Sequence, residues 1–310
     1  MSLDWLDWSN PVAIWWGFLL AVSAVNVAVL LGLGVRFRQG FFGKPQNLLG
    51  KQTIVLIEPL LLLAAVYVLG CAFRSVLPRA DVQRICLFDT WLSSVMVGRA
   101  VATVAELCFA AQWAIVLAAL GKVAHSDTAK NIAKFVLPLI ALAECCSWYA
   151  VITTDFIGNV LENSLWTVTF ALIGVALARL VYRFNGMVQR ALAAAAAGMA
   201  GYVVFMATVD VPTYFGRWQA DLLSHKAYFG LLAGLHDLTT RWIVTHDIAP
   251  WRDEIAWMSL YFSFAVWASL ALACFPLLKA TLPRYRVRVP LIRPTRRPVA
   301  VPVRSSNAMR

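Results

Sequence analysis

The sequence predicts an all-α polytopic integral membrane protein: a bundle of about seven transmembrane helices, amino terminus outside and carboxyl terminus inside, with an amphipathic outer helix or lid. Three observations carry this. The chain is 61% hydrophobic with a mean hydropathy of +0.71, well beyond an ordinary soluble domain. Its apolar residues come in runs long enough, at about 1.5 Å per residue, to cross roughly 30 Å of hydrocarbon. Its connections alternate between rich and poor in lysine and arginine, the bias that orients membrane helices.

The runs fall at residues 11–35, 53–73, 88–121, 132–153, 161–183, 188–209 and 255–278. The third is longer than a membrane requires and is expected to tilt or project. With the amino terminus outside, the inner side gains Arg36, Arg38, Lys44 and Lys51, then Lys122, Lys130 and Lys134, then Arg179, Arg183 and Arg190. The outer side keeps Arg74, Arg79, Arg84, Arg217, Lys226, Arg241 and Arg252. The opening MSLDWLDWSNP is acidic and lacks a basic n-region, so the first run is read as an anchor and not as a removed signal.

Tryptophans near the predicted outer boundaries (Trp5, Trp8, Trp15, Trp16, Trp91, Trp148, Trp166, Trp251 and Trp257) read as interfacial anchors. The sixth run contains ALAAAAAGMAG, in which Ala194 and Gly198 are four residues apart, and this predicts a central, closely packed helix. Residues 210–254 carry too much charge and histidine to span. Leu222, Leu223, Phe229, Leu231, Leu232, Leu235 and Leu238 suit them instead to an interfacial or re-entrant helix over the outer end. The transmembrane bundle, 1–280, is read as one domain, placed in a plasma or bacterial inner membrane.

The formal charge of +11 is not a nucleic-acid footprint. Lys279 to Arg310 contains nine basic and no acidic residues, which leaves the rest of the chain near +2. The Pro/Arg-rich segment 281–310 is expected to be a disordered cytoplasmic tail that meets anionic lipid. Six cysteines show no zinc or haem spacing and read mostly as small buried hydrophobes, with Cys71 and Cys86 the pair placed to form a disulfide.

Charge inside apolar runs marks the candidate site, because an intramembrane ionised group is costly and faces protein or water with a partner. Arg99 and Glu144 both fall about 15 Å deep by helical rise and are predicted to pair. Arg99 and Glu106 share a helix face but are separated by about 10 Å of rise, which reads as too far for direct neutralisation. Glu58 and Glu106 lie at similar depth and form a candidate proton path. Arg74, Arg79 and Arg84 are candidates for an anionic head group, alternatively paired with Asp81 and Asp89, and Asp155, Asn159, Glu162 and Asn163 are further candidate substrate contacts. Asp89, Arg99, Glu144 and His236 form the candidate catalytic set. His225, His236 and His246 are the candidate ligands should a metal or haem be present, and the His236-Asp237 and His246-Asp247 dyads could orient an imidazole.

These residues suit an integral-membrane enzyme acting on a lipid or other amphipathic anionic substrate at an outer-facing polar cavity. A proton-coupled transporter or channel is the second expectation. A cofactor-bearing or structural subunit of a membrane complex is the third, and self-association is compatible with each. No inverted repeat, nucleophile elbow or mid-membrane lysine on the seventh run supports a more specific class.

Overall fold

The computed structural model describes residues 5–7, 9–39 and 51–281. The readings of Trp8, Lys44 and the tail beyond Thr281 lie outside these residues. Among the described residues seven helices are long and apolar enough to cross a membrane, and they follow the seven predicted runs in order.

α1 (Pro11–Arg38) starts where the Asn10 side chain accepts the Val12 N–H and Pro11 occupies a position whose N–H is not needed. α2 is Lys51–Val76 and α3 is Val95–Val123. α4 (Asp127–Thr153) is capped by Ser126, and α5 is Ile157–Val181. α6 runs from Gly186 to Leu223. After the short α7 (Leu231–Thr240), α8 begins at Ile248 and continues to Thr281. Successive long helices run antiparallel. One end of the bundle, the capped end, gathers residues 77–94 and 224–247.

The small sheet at this end is a departure from the all-α expectation. β1 (Arg79–Ala80) pairs antiparallel with β2 (Ile85–Cys86), which pairs parallel with β3 (Ile243–Val244). Arg84 closes the β1–β2 turn at φ +61°. Two segments far apart in sequence thus satisfy each other's backbone groups, which neither could do by helix formation at a helix end.

Four expectations change. α3 begins at Val95 and not at 88, because Ser94 caps it through the Val97 N–H and residues 91–93 form a separate 3₁₀ turn. α6 continues past Asp210 for thirteen more residues, so the connection before α8 is only 224–247. The continuation passes through a π turn at Met206–Asp210, where the chain absorbs Pro212, a residue that cannot donate to the preceding turn. α6 is also peripheral rather than central. Only 17% of its most apolar window is buried, against 50% for α3, and Ala194 and Gly198 are exposed. Among the described residues the Ala194–Gly198 face is therefore not used for packing, whereas Ala195 and Ala196 beside it pack against the core.

The tryptophans divide. Trp91 is 65% exposed, as an interfacial anchor would be. Trp15 and Trp251 are buried against each other with ring centroids 5.4 Å apart, and their indoles donate to Ser259 Oγ and the Thr245 carbonyl. They hold α1 to the start of α8 instead of marking a boundary.

Two buried polar clamps fix the helices around the interior. Gln112 of α3 donates to the Leu60 and Ser269 carbonyls and accepts from Ser269 Oγ at 2.6 Å, joining α2, α3 and α8. Asn26 of α1 donates to the Phe262 carbonyl at 2.8 Å, inside a second π turn at Tyr261–Ala265. A π turn breaks the regular ladder, and Asn26 caps the carbonyl it exposes.

Candidate functional site

A cavity of about 830 Å³ runs along the inside of the bundle. Arg74, Arg79, Asp81 and Gln83 line it towards the capped end, and Arg99, Glu106, Asn159, Glu162 and Asn163 line its waist. Leu120, Leu177, Leu192 and Leu272 form the far, apolar part. α6 and α8 supply aromatic lining, including Tyr202, Phe205, Trp257 and Tyr261, with Phe205 stacked on Trp257 at 6.3 Å between ring centroids.

The waist is organised by Arg99, which α3 presents inward. Its Nη2 lies 2.5 Å from Glu144 Oε2, the pair predicted from helical depth, and 3.2 Å from Glu106 Oε2. Its Nη1 lies 3.6 Å from Glu162 Oε1. All four residues are at least nine-tenths buried. The Arg99–Glu106 contact corrects the argument from rise: two turns separate the backbones, but the two longest charged side chains on that face close the gap. Thr103 Oγ1 donates to Glu144 Oε2 at 2.6 Å and itself accepts from the Trp148 indole at 3.0 Å. Tyr261 donates to Glu106 Oε1 at 2.9 Å, and Asn159 to Glu162 Oε2 at 3.0 Å. Four helices, α3, α4, α5 and α8, therefore meet on three carboxylates and one guanidinium.

The proton-path pair is not assembled. Glu58 is exposed on α2, whereas Glu106 is buried beside Glu144 and Glu162. They lie on different helices, and depth along an axis says nothing about which face of its helix a residue occupies.

The capped-end arginines have separate roles. Arg84, 1% exposed, donates to Asp237 Oδ2 at 2.9 Å and to the Asp81 and Val151 carbonyls at 2.7 Å each. It ties the β1–β2 turn to α7 and the end of α4. Asp237 also accepts from Arg241. Burial pushes its carboxyl up, but the hydrogen bonds from Arg241 and Arg84 outweigh that and hold it below the usual carboxylate range. Arg74 and Arg79 share Asp81 at 3.7 and 3.6 Å, so the partner is Asp81 and not Asp89. Arg79 Nη1 donates to the Ser94 carbonyl, and its guanidinium lies directly over Gly98, where a side chain would leave no room. Its Nε and Nη2 have no hydrogen-bond partner. Burial lowers Arg79 to about 10, with Asp81 opposing, and it stays charged at neutral pH.

The remaining candidates are placed elsewhere. Asp89 is exposed and accepts the Trp242 indole at 2.9 Å, and His236 is exposed on α7; neither lines the cavity. Asp155 accepts the Ile157 N–H at 3.0 Å at the start of α5 and serves as a cap. His225 is exposed in a left-handed turn, and His246 Nε2 meets the Leu87 carbonyl at 2.9 Å while its ring stacks on Trp5. Among the described residues no hydrogen bond joins either His-Asp dyad: Asp237 is held by two arginines, and His246 Nε2 meets the Leu87 carbonyl. Cys71 and Cys86 are buried free thiols, and burial pushes Cys86 up to about 11. Cys145 is exposed, so the buried reading does not extend to it.

Ser147, Asp210, Glu254 and Tyr261, none of them in the candidate set, also lie on the cavity wall. Asp210 and Glu254 carried a signal, as carboxylates at the boundaries of apolar runs. Ser147 and Tyr261 carried none, being ordinary residues of membrane helices. No protein-family model matches this chain, and no curated protein or solved structure is significantly similar to it.

Proposed function

We propose that this protein is an integral-membrane enzyme acting on the polar head of a lipid-like amphipathic substrate, with the capped end facing the outer side of a plasma or bacterial inner membrane. The observation that carries the reading is the single cavity that joins an apolar, aromatic-walled half to a waist of ionisable residues. An acyl or other apolar chain occupies the half bounded by Leu120, Leu177 and Leu272, and the head group reaches the waist. Glu106 and Glu162 are the proton donor and acceptor, since both line the cavity and both are bridged to Arg99. Glu144 and Thr103 act through Arg99 as positioning residues.

Arg79 and Arg74 hold an anionic group of the substrate. The support is the Arg79 guanidinium, which lines the cavity and is 1% exposed: among the described residues its Nη2 has no hydrogen-bond partner, and its Nε has only the 3.6 Å ion pair with Asp81. A buried donor without an acceptor carries a desolvation cost that a ligand oxygen removes. α7 presents Leu231, Leu232 and Leu235 outward, which suits a helix resting in the lipid interface above this mouth.

Native mass spectrometry of protein purified in mild detergent tests the reading. Wild type is expected to retain an amphiphile, and Arg79→Gln to lose it. Incubation of that amphiphile with wild type and with Glu106→Gln then separates turnover from binding. Conversion that is equal in both variants, or a wild type that retains no amphiphile, rules the reading out. Proton-coupled transport is the second reading, favoured by the three carboxylates around one arginine; proton-gradient-dependent flux in proteoliposomes would establish it.

A further inference from the structure

We propose that Glu106, Glu144 and Glu162 form a binding site for one hard divalent cation, such as Mg²⁺, Mn²⁺ or Ca²⁺, completed by Ser147 and Asn159. Oxygen atoms of the three carboxylates lie within 4.8 Å of one another, and all three residues are buried. This spacing fits ligands that share one ion at roughly 2.0–2.6 Å each.

Charge counting supplies the first argument. Three carboxylates face the single guanidinium of Arg99, which leaves the cluster two negative charges in excess when all are ionised. Such an excess in a buried region requires neutralisation, and one divalent cation provides it.

Unused acceptors supply the second, independent argument. A carboxylate has about four lone-pair positions. Glu106 receives Arg99 and Tyr261, Glu144 receives Arg99 and Thr103 on one oxygen, and Glu162 receives Asn159 and faces Arg99. Among the described residues Glu144 Oε1 has no hydrogen-bond partner, and neither do Ser147 Oγ, which faces Glu162, nor Asn159 Oδ1. These three residues are 3%, 0% and 8% exposed. They are all oxygen atoms, on α4 and α5 where the carboxylates converge, and an all-oxygen set selects hard cations over zinc or copper.

Access is available, because Glu106, Ser147, Asn159 and Glu162 all line the cavity. Arg99 then holds the carboxylates in place from the side opposite the ion instead of neutralising them alone. The inference differs from the histidine-based candidates of the sequence, which the fold disperses; with the ion bound, Glu106 and Glu162 are its ligands, and they exchange protons as proposed above only in the ion-free state.

The test is Mn²⁺ titration of detergent-solubilised, chelator-treated protein, followed by the loss of the free-ion electron paramagnetic resonance signal. Wild type is expected to bind one Mn²⁺ per chain, displaced by Mg²⁺ or Ca²⁺. Glu144→Gln is expected to weaken binding by at least tenfold, and Ser147→Ala, which leaves every Arg99 contact intact, by a smaller but measurable factor. Asp253→Asn, on the exposed face of α8, serves as control and is expected to leave binding unchanged. If Glu144→Gln does not fold, Ser147→Ala and Asn159→Ala decide the matter. A wild type that retains no Mn²⁺, or cluster variants that bind as wild type does, overturns the site and assigns the excess charge to protons. Because this titration reads bound Mn²⁺ and the native mass spectrum reads the retained amphiphile, failure of one is distinct from failure of the other.

Discussion

Two buried arginines divide the molecule. Arg84 at the capped end and Arg99 at the waist are both at least nine-tenths buried and both bridge distant segments. Arg84 faces one bridging carboxylate and two backbone carbonyls, and its charge and donors are matched. Arg99 faces three carboxylates beside a cavity, and the charge around it is not matched. A matched buried ion is architecture. An unmatched one beside a cavity is where a ligand or a proton enters the account.

The largest effect expected from this comparison is on stability at the matched site. Arg84→Met leaves Asp237 with Arg241 alone and removes the donors from the buried Asp81 and Val151 carbonyls, and it is expected to cost about 3–5 kcal/mol, chiefly through those two orphaned acceptors. Thermal unfolding in detergent reads this directly. A loss below about 1 kcal/mol would break the assignment of Arg84 to architecture.

Gly234 is expected to show the next largest effect. A Cβ there would run into the Ile152 carbonyl, where α7 crosses the end of α4. Gly234→Ala is expected to cost about 1–3 kcal/mol by overpacking, with protease nicking of 224–247 as a second readout. A wild-type melting temperature would show that α7 docks more loosely than its contact with α4 requires.

Acid supplies a third comparison. Asp237 titrates below its ordinary value in the folded state, so its contribution is complete above the unfolded carboxylate value of about 3.9. That contribution fades as pH falls through the lower folded value. Melting between about pH 6 and 3 is expected to fall more steeply in wild type than in Asp237→Asn. Parallel curves would remove this carboxylate from the acid response.

The smallest stability effect is expected at the unmatched site. Glu106→Gln removes one of three carboxylates competing for a single guanidinium and is expected to change stability by less than about 1 kcal/mol. Turnover of a retained amphiphile is expected to drop by about 10²–10⁴. A large destabilisation instead would make the waist a second architectural site and erase the contrast with Arg84.

Much of the bundle was legible because membrane insertion imposes a local rule: each span must satisfy its own backbone and present apolar side chains over a fixed length. Seven runs therefore became seven helices. Burial depth was legible for the same reason, and counting residues from each end placed Arg99 opposite Glu144. The boundaries moved where a local feature overrode composition, as Ser94 did for α3 and the π turn before Pro212 did for α6.

Facing, by contrast, depends on neighbours. Depth alone grouped Glu58 with Glu106, and only packing showed one exposed and the other buried. The small residues of α6 suggested centrality, but none of the described residues approaches Gly198 within 4 Å of where a side chain would begin. The sequence by itself determined that this chain forms helices long and apolar enough to span a membrane and that a charged pair lies within them, because hydrocarbon length and the cost of buried charge act on each segment separately. Tertiary structure alone decided that Glu106 and Glu162 join that pair, that Asp89 and His236 do not, and that Arg84 is a fastener. Those outcomes follow from the rotation of each helix about its axis, which is set by the packing of all its neighbours at once.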